Sequence, residues 1–201
     1  MPVRLLLVVI VAFALGSLAA VFLRPTGLPS VTQSGRSLIG GPFSLVNQDG
    51  QRMTEKDFRG KYMLVAFGYT SCPDVCPAEL SAIAQTVDQL GTNAEKVNPV
   101  FITIDPERDT VPQVAEYVKN FHARMIGLTG TPEEIKQAAR SYRVYYAKAE
   151  DKNSAMGYLM DHSAFIYLMN PNGEYVTHFA YGTPPEKMSS VIAKAIEGGA
   201  G

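Results

Sequence analysis

An unbroken apolar run, Tyr62-Met-Leu-Val-Ala-Phe67, leads straight into Gly68-Tyr-Thr-Ser-Cys72-Pro-Asp-Val-Cys76-Pro77. A short run with no polar face reads as a strand buried on both sides. Beyond the turn, Leu80, Ile83, Ala84, Val87 and Leu90 recur at helical spacing, and Gly91 ends the pattern. A buried strand that turns directly into an amphipathic helix restricts the chain to a layered α/β domain. The only two cysteines of the protein lie in that turn. They are too close together to staple distant parts of the chain. Joining them would close a tiny loop and add little stability. Their purpose is reactivity.

The remaining pattern extends the same architecture. Phe43 to Val46, the turn Asn47-Gln-Asp-Gly50 and Gln51 to Met53 predict an N-terminal hairpin. Thr54 to Phe58 reads as a short helical turn. Pro99 to Ile104 predicts a second central strand, parallel to the first, followed by a loop over Asp105 to Thr110. Val114, Tyr117, Val118 and Phe121 mark the next helix, and Ile126 to Thr129 a short strand. Thr131-Pro-Glu-Glu134 is a capping box with Pro at the first helical position, opening a helix that buries Ile135, Ala138 and Ala139. Tyr142 to Tyr146 reads as extended and Ala147 to Met160 as a polar loop. Ser163 to Met169, a turn at Pro171-Asn-Gly173 and Tyr175 to Phe179 predict a closing hairpin. A last helix starts near Thr183, with Met188, Val191, Ile192, Ala195 and Ile196 inward. The sum is a three-layer α/β/α domain with an added N-terminal hairpin.

Residues 42–201 form that domain in this reading. Ahead of it, Leu5 to Leu23 holds nothing more polar than Gly16 and Ser17, between Arg4 and Arg24. The run is about the ~20 residues that a spanning helix needs. Residues 1–24 therefore read as a membrane anchor, with the domain exported. The rival is a cleaved signal peptide, because Ser17-Leu18-Ala19 offers small residues at the right spacing. Residues 25–41, rich in Gly, Ser, Pro and Thr, read as a flexible linker. Charged residues make up 18% of the chain and the net charge is -1, with no basic stripe. That excludes nucleic acid as a partner.

The thiols carry the chemistry. Pro77 suits the first helical position, which would put Cys76 at the N-cap and both sulfurs at the positive end of the helix dipole, favouring thiolate. Thiolates select Cu(I), zinc or iron-sulfur clusters. Two sulfurs complete neither a zinc nor an iron-sulfur site, whereas a trigonal copper site needs one more donor such as imidazole. His162 precedes a buried strand, where its ring can project from the sheet edge, and Asp161 is placed to fix its tautomer. His122 reads as a charge at a helix C-terminus, and His178 as a solvent-facing residue of a hairpin. Asp105, Glu107 and Asp109 follow a central strand, at the edge where open α/β sheets bind ligands. They either guide a partner or form an Asp-Pro turn in which Asp109 or Thr110 caps the next helix. Met156 and Met160 either offer thioethers to Cu(I) or fill gaps in the core.

Three motifs now stand in order: Gly68-Tyr-Thr-Ser-Cys72-Pro-Asp-Val-Cys76-Pro77, Thr103-Ile-Asp-Pro-Glu-Arg-Asp-Thr110 and Tyr158-Leu-Met-Asp-His162-Ser163. Together they resemble the SCO/SenC family of membrane-anchored copper proteins used in cytochrome c oxidase assembly. The resemblance implies a thioredoxin-like fold, with copper held by Cys72, Cys76 and His162. It implies delivery of copper to, or thiol reduction of, the binuclear copper centre of oxidase subunit II. It also implies a monomer on the bacterial inner membrane facing the periplasm, served by another copper chaperone and a thioredoxin-like reductant. The rival reading is a thiol-disulfide oxidoreductase in which Cys72 attacks and Cys76 resolves.

Overall fold

The computed structural model describes residues 38–150 and 157–199. Among the described residues nine strands form: β1 (Ser44–Asn47), β2 (Arg52–Thr54), β3 (Tyr62–Gly68), β4 (Val97–Thr103), β5 (Ile126–Thr129), β6 (Tyr146–Glu150), β7 (Tyr158–His162), β8 (Phe165–Met169) and β9 (Tyr175–Ala180). The α-helices are α1 (Val75–Gln89), α2 (Val111–Val118), α3 (Pro132–Ser141) and α4 (Pro185–Glu197). Seven strands make one sheet in the order β2-β1-β5-β4-β3-β8-β9. β3, β4 and β5 run parallel, and the flanking pairs are antiparallel.

The central strand explains the layers. Every residue of β3 is buried, and its side chains alternate between two cores. Tyr62, Leu64 and Ala66 meet Leu80, Ile83 and Val87 of α1, Val114 and Val118 of α2, and Met188 and Ile192 of α4. Met63, Val65 and Phe67 meet Ile135, Ala138 and Ala139 of α3. β8 alternates in the same way, with Ile166 and Leu168 on one side and Tyr167 and Met169 on the other. The expected three layers follow from this alternation. The N-terminal hairpin is present too: Asn47 Oδ1 accepts from the backbone N–H of Asp49 and Gln51, and Gly50 takes φ 77 to close the turn. The capping box at Thr131 and Glu134 forms in both directions, at 3.2 and 2.8 Å.

The stretch from Tyr142 to Met160 differs from its sequence reading. Tyr142 and Arg143 make a turn, with Arg143 at φ 58. The supposed polar loop then contributes β6 and most of β7, which pair antiparallel as a separate two-stranded ribbon. Exposed Lys148, Glu150 and Asp161 interrupt these strands and leave only short apolar runs, which hid them. Residues 151–156 lie outside the described residues, as do the candidate anchor and most of the candidate linker. Among the described residues no helix is long and apolar enough to cross a membrane. Ile39 packs on the core, and the Gly40 N–H bonds to Ser141 O at 2.8 Å.

Helix α2 lies so close to β5 that a Cβ at Gly127 would clash with Val114 and stand 2.8 Å from Val118 Cγ1. Gly127→Ala is therefore expected to destabilise the domain by about 1–3 kcal/mol through overpacking. Urea unfolding of the variant and the parent protein measures this.

Candidate metal centre

Helix α1 begins at Val75, with Asp74 as N-cap, so Cys76 and Pro77 are its second and third residues. The sequence reading placed the start two residues late. Proline gives no sharper signal, since the first-turn N–H groups have no intrahelical partners and its missing donor costs nothing at any of those positions. Asp74 makes no side-chain cap. Instead the sulfur of Cys72 accepts the N–H of Cys76 at 3.4 Å. Cys72 thus occupies the anion position at the helix N-terminus. Gly68, the last residue of β3, makes room for the pair. A Cβ there would lie 2.8 Å from Cys76 Sγ and 3.2 Å from Phe101 Cε2.

The two thiols are not equivalent. The hydrogen bond from the Cys76 thiol, helped by His162 and the backbone N–H groups of Cys76 and Asp74, pulls Cys72 down to about 3 against the effect of burial. Cys76 is 2% exposed. Its hydrogen bond to Cys72, together with burial, pushes its thiol above the usual range. Both sulfurs were expected to be thiolates, but only Cys72 is. Adjacent like charges cannot both form in a poorly solvated site, so the first ionisation suppresses the second.

His162 closes the group from the end of β7. Its Nε2 lies 3.4 Å from Cys76 Sγ and its Nδ1 3.0 Å from the Ser163 carbonyl. A carbonyl oxygen only accepts, so Nδ1 carries a proton and donates it there. Nε2 is then the nitrogen that gains or loses a proton, and its lone pair faces the sulfurs when the ring is neutral. Burial lowers the His162 pKa, but Cys72, the Ser163 carbonyl and the charge of Glu79 more than offset this, and the net shift is upward. Asp161 was expected to fix the tautomer. It is exposed, on the other face of β7, and the Ser163 main chain takes that role. Among the described residues no three His, Cys, Asp or Glu side chains are already spaced as around a bound ion. Cys72, Cys76 and His162 form a hydrogen-bonded chain.

The other candidates fall outside this group. Asp105 and Asp109 are 1% and 0% exposed, which removes them as partner-guiding surface charges. Asp109 does not cap α2; Thr110 does, in a capping box with Gln113. Glu107 is exposed and pairs with Lys148. Met160 is buried in the same core cluster as Cys76, and Met156 lies outside the described residues. Helix α2 ends at Val118, so His122 is beyond it and does not sit at its C-terminus; its Nε2 lies 3.3 Å from Asp88. His178 is exposed, as expected, and stacks edge-on against Phe165. The reading missed Glu79, which is 3% exposed, with Oε1 unpartnered and a pKa raised by burial to about 7. One helical turn after Cys76, it was visible as a charge on the buried face of α1.

Comparison with known proteins extends these findings. A family model described as SCO1/SenC matches residues 31–197. The chain is 50% identical over 164 residues to "Protein SCO1 homolog 1, mitochondrial" of Arabidopsis thaliana, covering 81% of this chain and 48% of that protein. It is 45% identical over 164 residues to "Protein SCO1 homolog, mitochondrial" of Homo sapiens, covering 79% and 53%. The chain thus spans about half the length of these curated relatives. The crystal structure of Arabidopsis thaliana ScoI with copper bound is 51% identical, covers 79% of this chain and 98% of that one, and superposes with a TM-score of 0.75. That likeness bears out the thioredoxin-like α/β fold expected from the three motifs. On the family match and these identities, the chain belongs to the SCO1/SenC family.

Proposed function

We propose that this protein is a copper carrier that binds the metal through Cys72, Cys76 and His162. In this reading it passes copper to the binuclear copper centre of cytochrome c oxidase subunit II. The observation that carries the reading is the meeting of the imidazole Nε2 with the cysteine pair, His162 Nε2 being 3.4 Å from Cys76 Sγ. Two thiolates and one imidazole are a soft set, suited to copper and short of what zinc needs. Copper-bound structures of related Sco proteins support the choice of metal.

The asymmetry of the thiols orders the events. Cys72 is half-buried and already ionised, so it meets incoming copper first. Cys76 follows and gives up its proton to the solvent, and His162 binds through Nε2, which gives up a proton only where the ring is charged. Delivery runs by ligand exchange, with thiolates of the acceptor replacing Cys72 first because it is the more accessible sulfur. No substrate bond is broken. The N-terminal residues 1–24, read as an anchor on the bacterial inner membrane with the domain in the periplasm, would keep the carrier near a membrane-bound acceptor and raise the effective concentration.

A second reading draws on one further observation. An accessible, low-pKa Cys72 beside a buried, protonated Cys76 is also the arrangement of a dithiol reductant. There the first sulfur attacks a disulfide and the second resolves the mixed intermediate. The imidazole separates the two readings, because disulfide exchange does not require it as a ligand.

His162→Ala should lower Cu(I) affinity by more than the roughly 10–100-fold cost of losing an outer-shell partner. It should leave disulfide exchange near the parent rate. Chelator competition and a thiol-exchange assay on the same preparation measure both; unchanged affinity would overturn the ligand assignment. Gly68→Ala should displace Cys76 and weaken Cu(I) binding by about tenfold, at an overpacking cost of about 1–3 kcal/mol. Binding should also release protons in a pH-dependent number. Above the raised His162 titration, about one proton leaves, from Cys76. As pH falls through that titration the count climbs toward about two, because Nε2 must then also lose its proton. Calorimetry in buffers of differing ionisation enthalpy counts them, and His162→Ala should flatten the rise.

A further inference from the structure

The sulfurs and the imidazole ride on different pieces of the fold. Cys72 lies in the turn between β3 and α1 and Cys76 in the first turn of α1, so both follow the central strand of the seven-stranded sheet. His162 ends β7, and β6 and β7 pair with each other and not with that sheet. No strand ladder pairs β7 with that sheet: His162 is joined to it through Ser163 and Ala164, which lead into β8, and side-chain contacts help hold the rest of β7.

One loop touches both pieces. Residues 105–110 run from β4 to α2, and two carboxylates of this loop are buried. Asp109 reaches the cysteine turn, accepting from the backbone N–H of Thr70 at 3.0 Å and from Thr70 Oγ1 at 2.6 Å. It also accepts from Thr103 Oγ1 of β4. Asp105 reaches the ribbon, accepting from the hydroxyl of Tyr158 at 2.9 Å. Arg108 is ion-paired with Asp105, donates to the Tyr158 carbonyl at 3.1 Å and lies 3.8 Å over the Tyr158 ring. Lys148 of β6 bonds Glu107 and lies 4.7 Å from the same ring centre. The Asp109 N–H closes the loop on the Asp105 carbonyl at 2.9 Å. Its two grips are therefore parts of one stiff unit.

We infer that the loop from Asp105 to Asp109 is a brace that holds His162 in register with Cys72 and Cys76, with Arg108 as its positioning residue. The brace touches none of the three side chains through Arg108. It acts by fixing Tyr158, four positions before His162 on the same strand. A cation-aromatic contact and a hydrogen bond from a charged donor to one residue are strong for a loop contact. Lysine cannot replace the guanidinium, because a point charge cannot stack on the ring while also serving the carboxylate and the carbonyl. The consequence for copper rests on the ligand reading above; the consequence for β7 does not.

The test uses the full chain, first without metal. Arg108→Ala should speed amide hydrogen exchange in β7 by about tenfold or more, while β3, β4 and α1 keep their protection. Unchanged β7 exchange, or equal acceleration of every amide, overturns the brace; the second result makes Arg108 a general stabiliser. Arg108→Lys, which retains the charge, should show the same localised effect in smaller measure, and parent-like β7 exchange in that variant counts against the proposal. With Cu(I), Arg108→Ala should lower affinity by about tenfold in the parent and add nothing in a His162→Ala background. The same fold-loss in both backgrounds overturns the brace. If His162→Ala alone leaves affinity unchanged, the ligand assignment fails, and the metal-free exchange result still decides the brace.

Discussion

Two thiols at the amino end of one helix share a single negative charge, and the site is arranged around where that charge rests. It rests on Cys72. The sulfur accepts the otherwise unpaired N–H of Cys76 and stands where the helix dipole favours an anion. The buried Cys76 keeps its proton as a result. The imidazole answers the same charge: a thiolate beside it favours the ring proton and raises the His162 pKa in spite of burial. Each of the three groups is in the state its neighbour requires, so none can be changed alone.

The sheet explains why this happens at one place. β3 delivers the chain to the top of the central sheet with both faces covered, and its final residue has no side chain. The turn can then fold Cys76 back against the strand. β4 arrives parallel beside it and ends in Thr103, whose hydroxyl bonds Asp109 and supports the Asp105 N–H. A hydroxyl at a strand end thus anchors the loop that grips Thr70 on one side and Tyr158 on the other. The site lies at the carboxyl ends of parallel strands, where an open α/β sheet leaves backbone and loops free to meet a ligand.

Much of this was legible in the sequence, and the reasons differ by element. β3, β4 and β8 were plain because burial on both faces demands continuous apolar runs. The capping box at Thr131 was plain because its chemistry is local. The start of α1 was misplaced because a proline in the first helical turn marks that turn and not a single position in it. The ribbon was missed because half-solvated strands of Lys, Glu, Ala and Tyr carry no hydrophobic period strong enough to oppose a loop. Asp161 was expected to hold the imidazole because sequence displays side chains, whereas the actual partner is the main-chain carbonyl of Ser163. Arg108 and Tyr158 are 50 residues apart, and nothing local announces such a contact.

The division of the site between a sheet and a ribbon bears on how cargo could leave it. A carrier must hold its metal against loss and still surrender it to a partner, and three ligands on one rigid element would favour holding only. In the copper-carrier reading the more accessible sulfur, Cys72, is also the one stabilised as an anion without metal, so its release leaves no uncompensated charge. Cys76 is buried and regains a proton when it lets go, which ties release to the arrival of that proton. His162 ends a ribbon that pairs with no strand of the main sheet and joins it through Ser163 and Ala164, so a shift of the ribbon breaks no ladder between ribbon and sheet. A dithiol reductant would gain from the first two properties and nothing from the third. The separate mounting of the imidazole is therefore the feature that favours the copper carrier over the reductant.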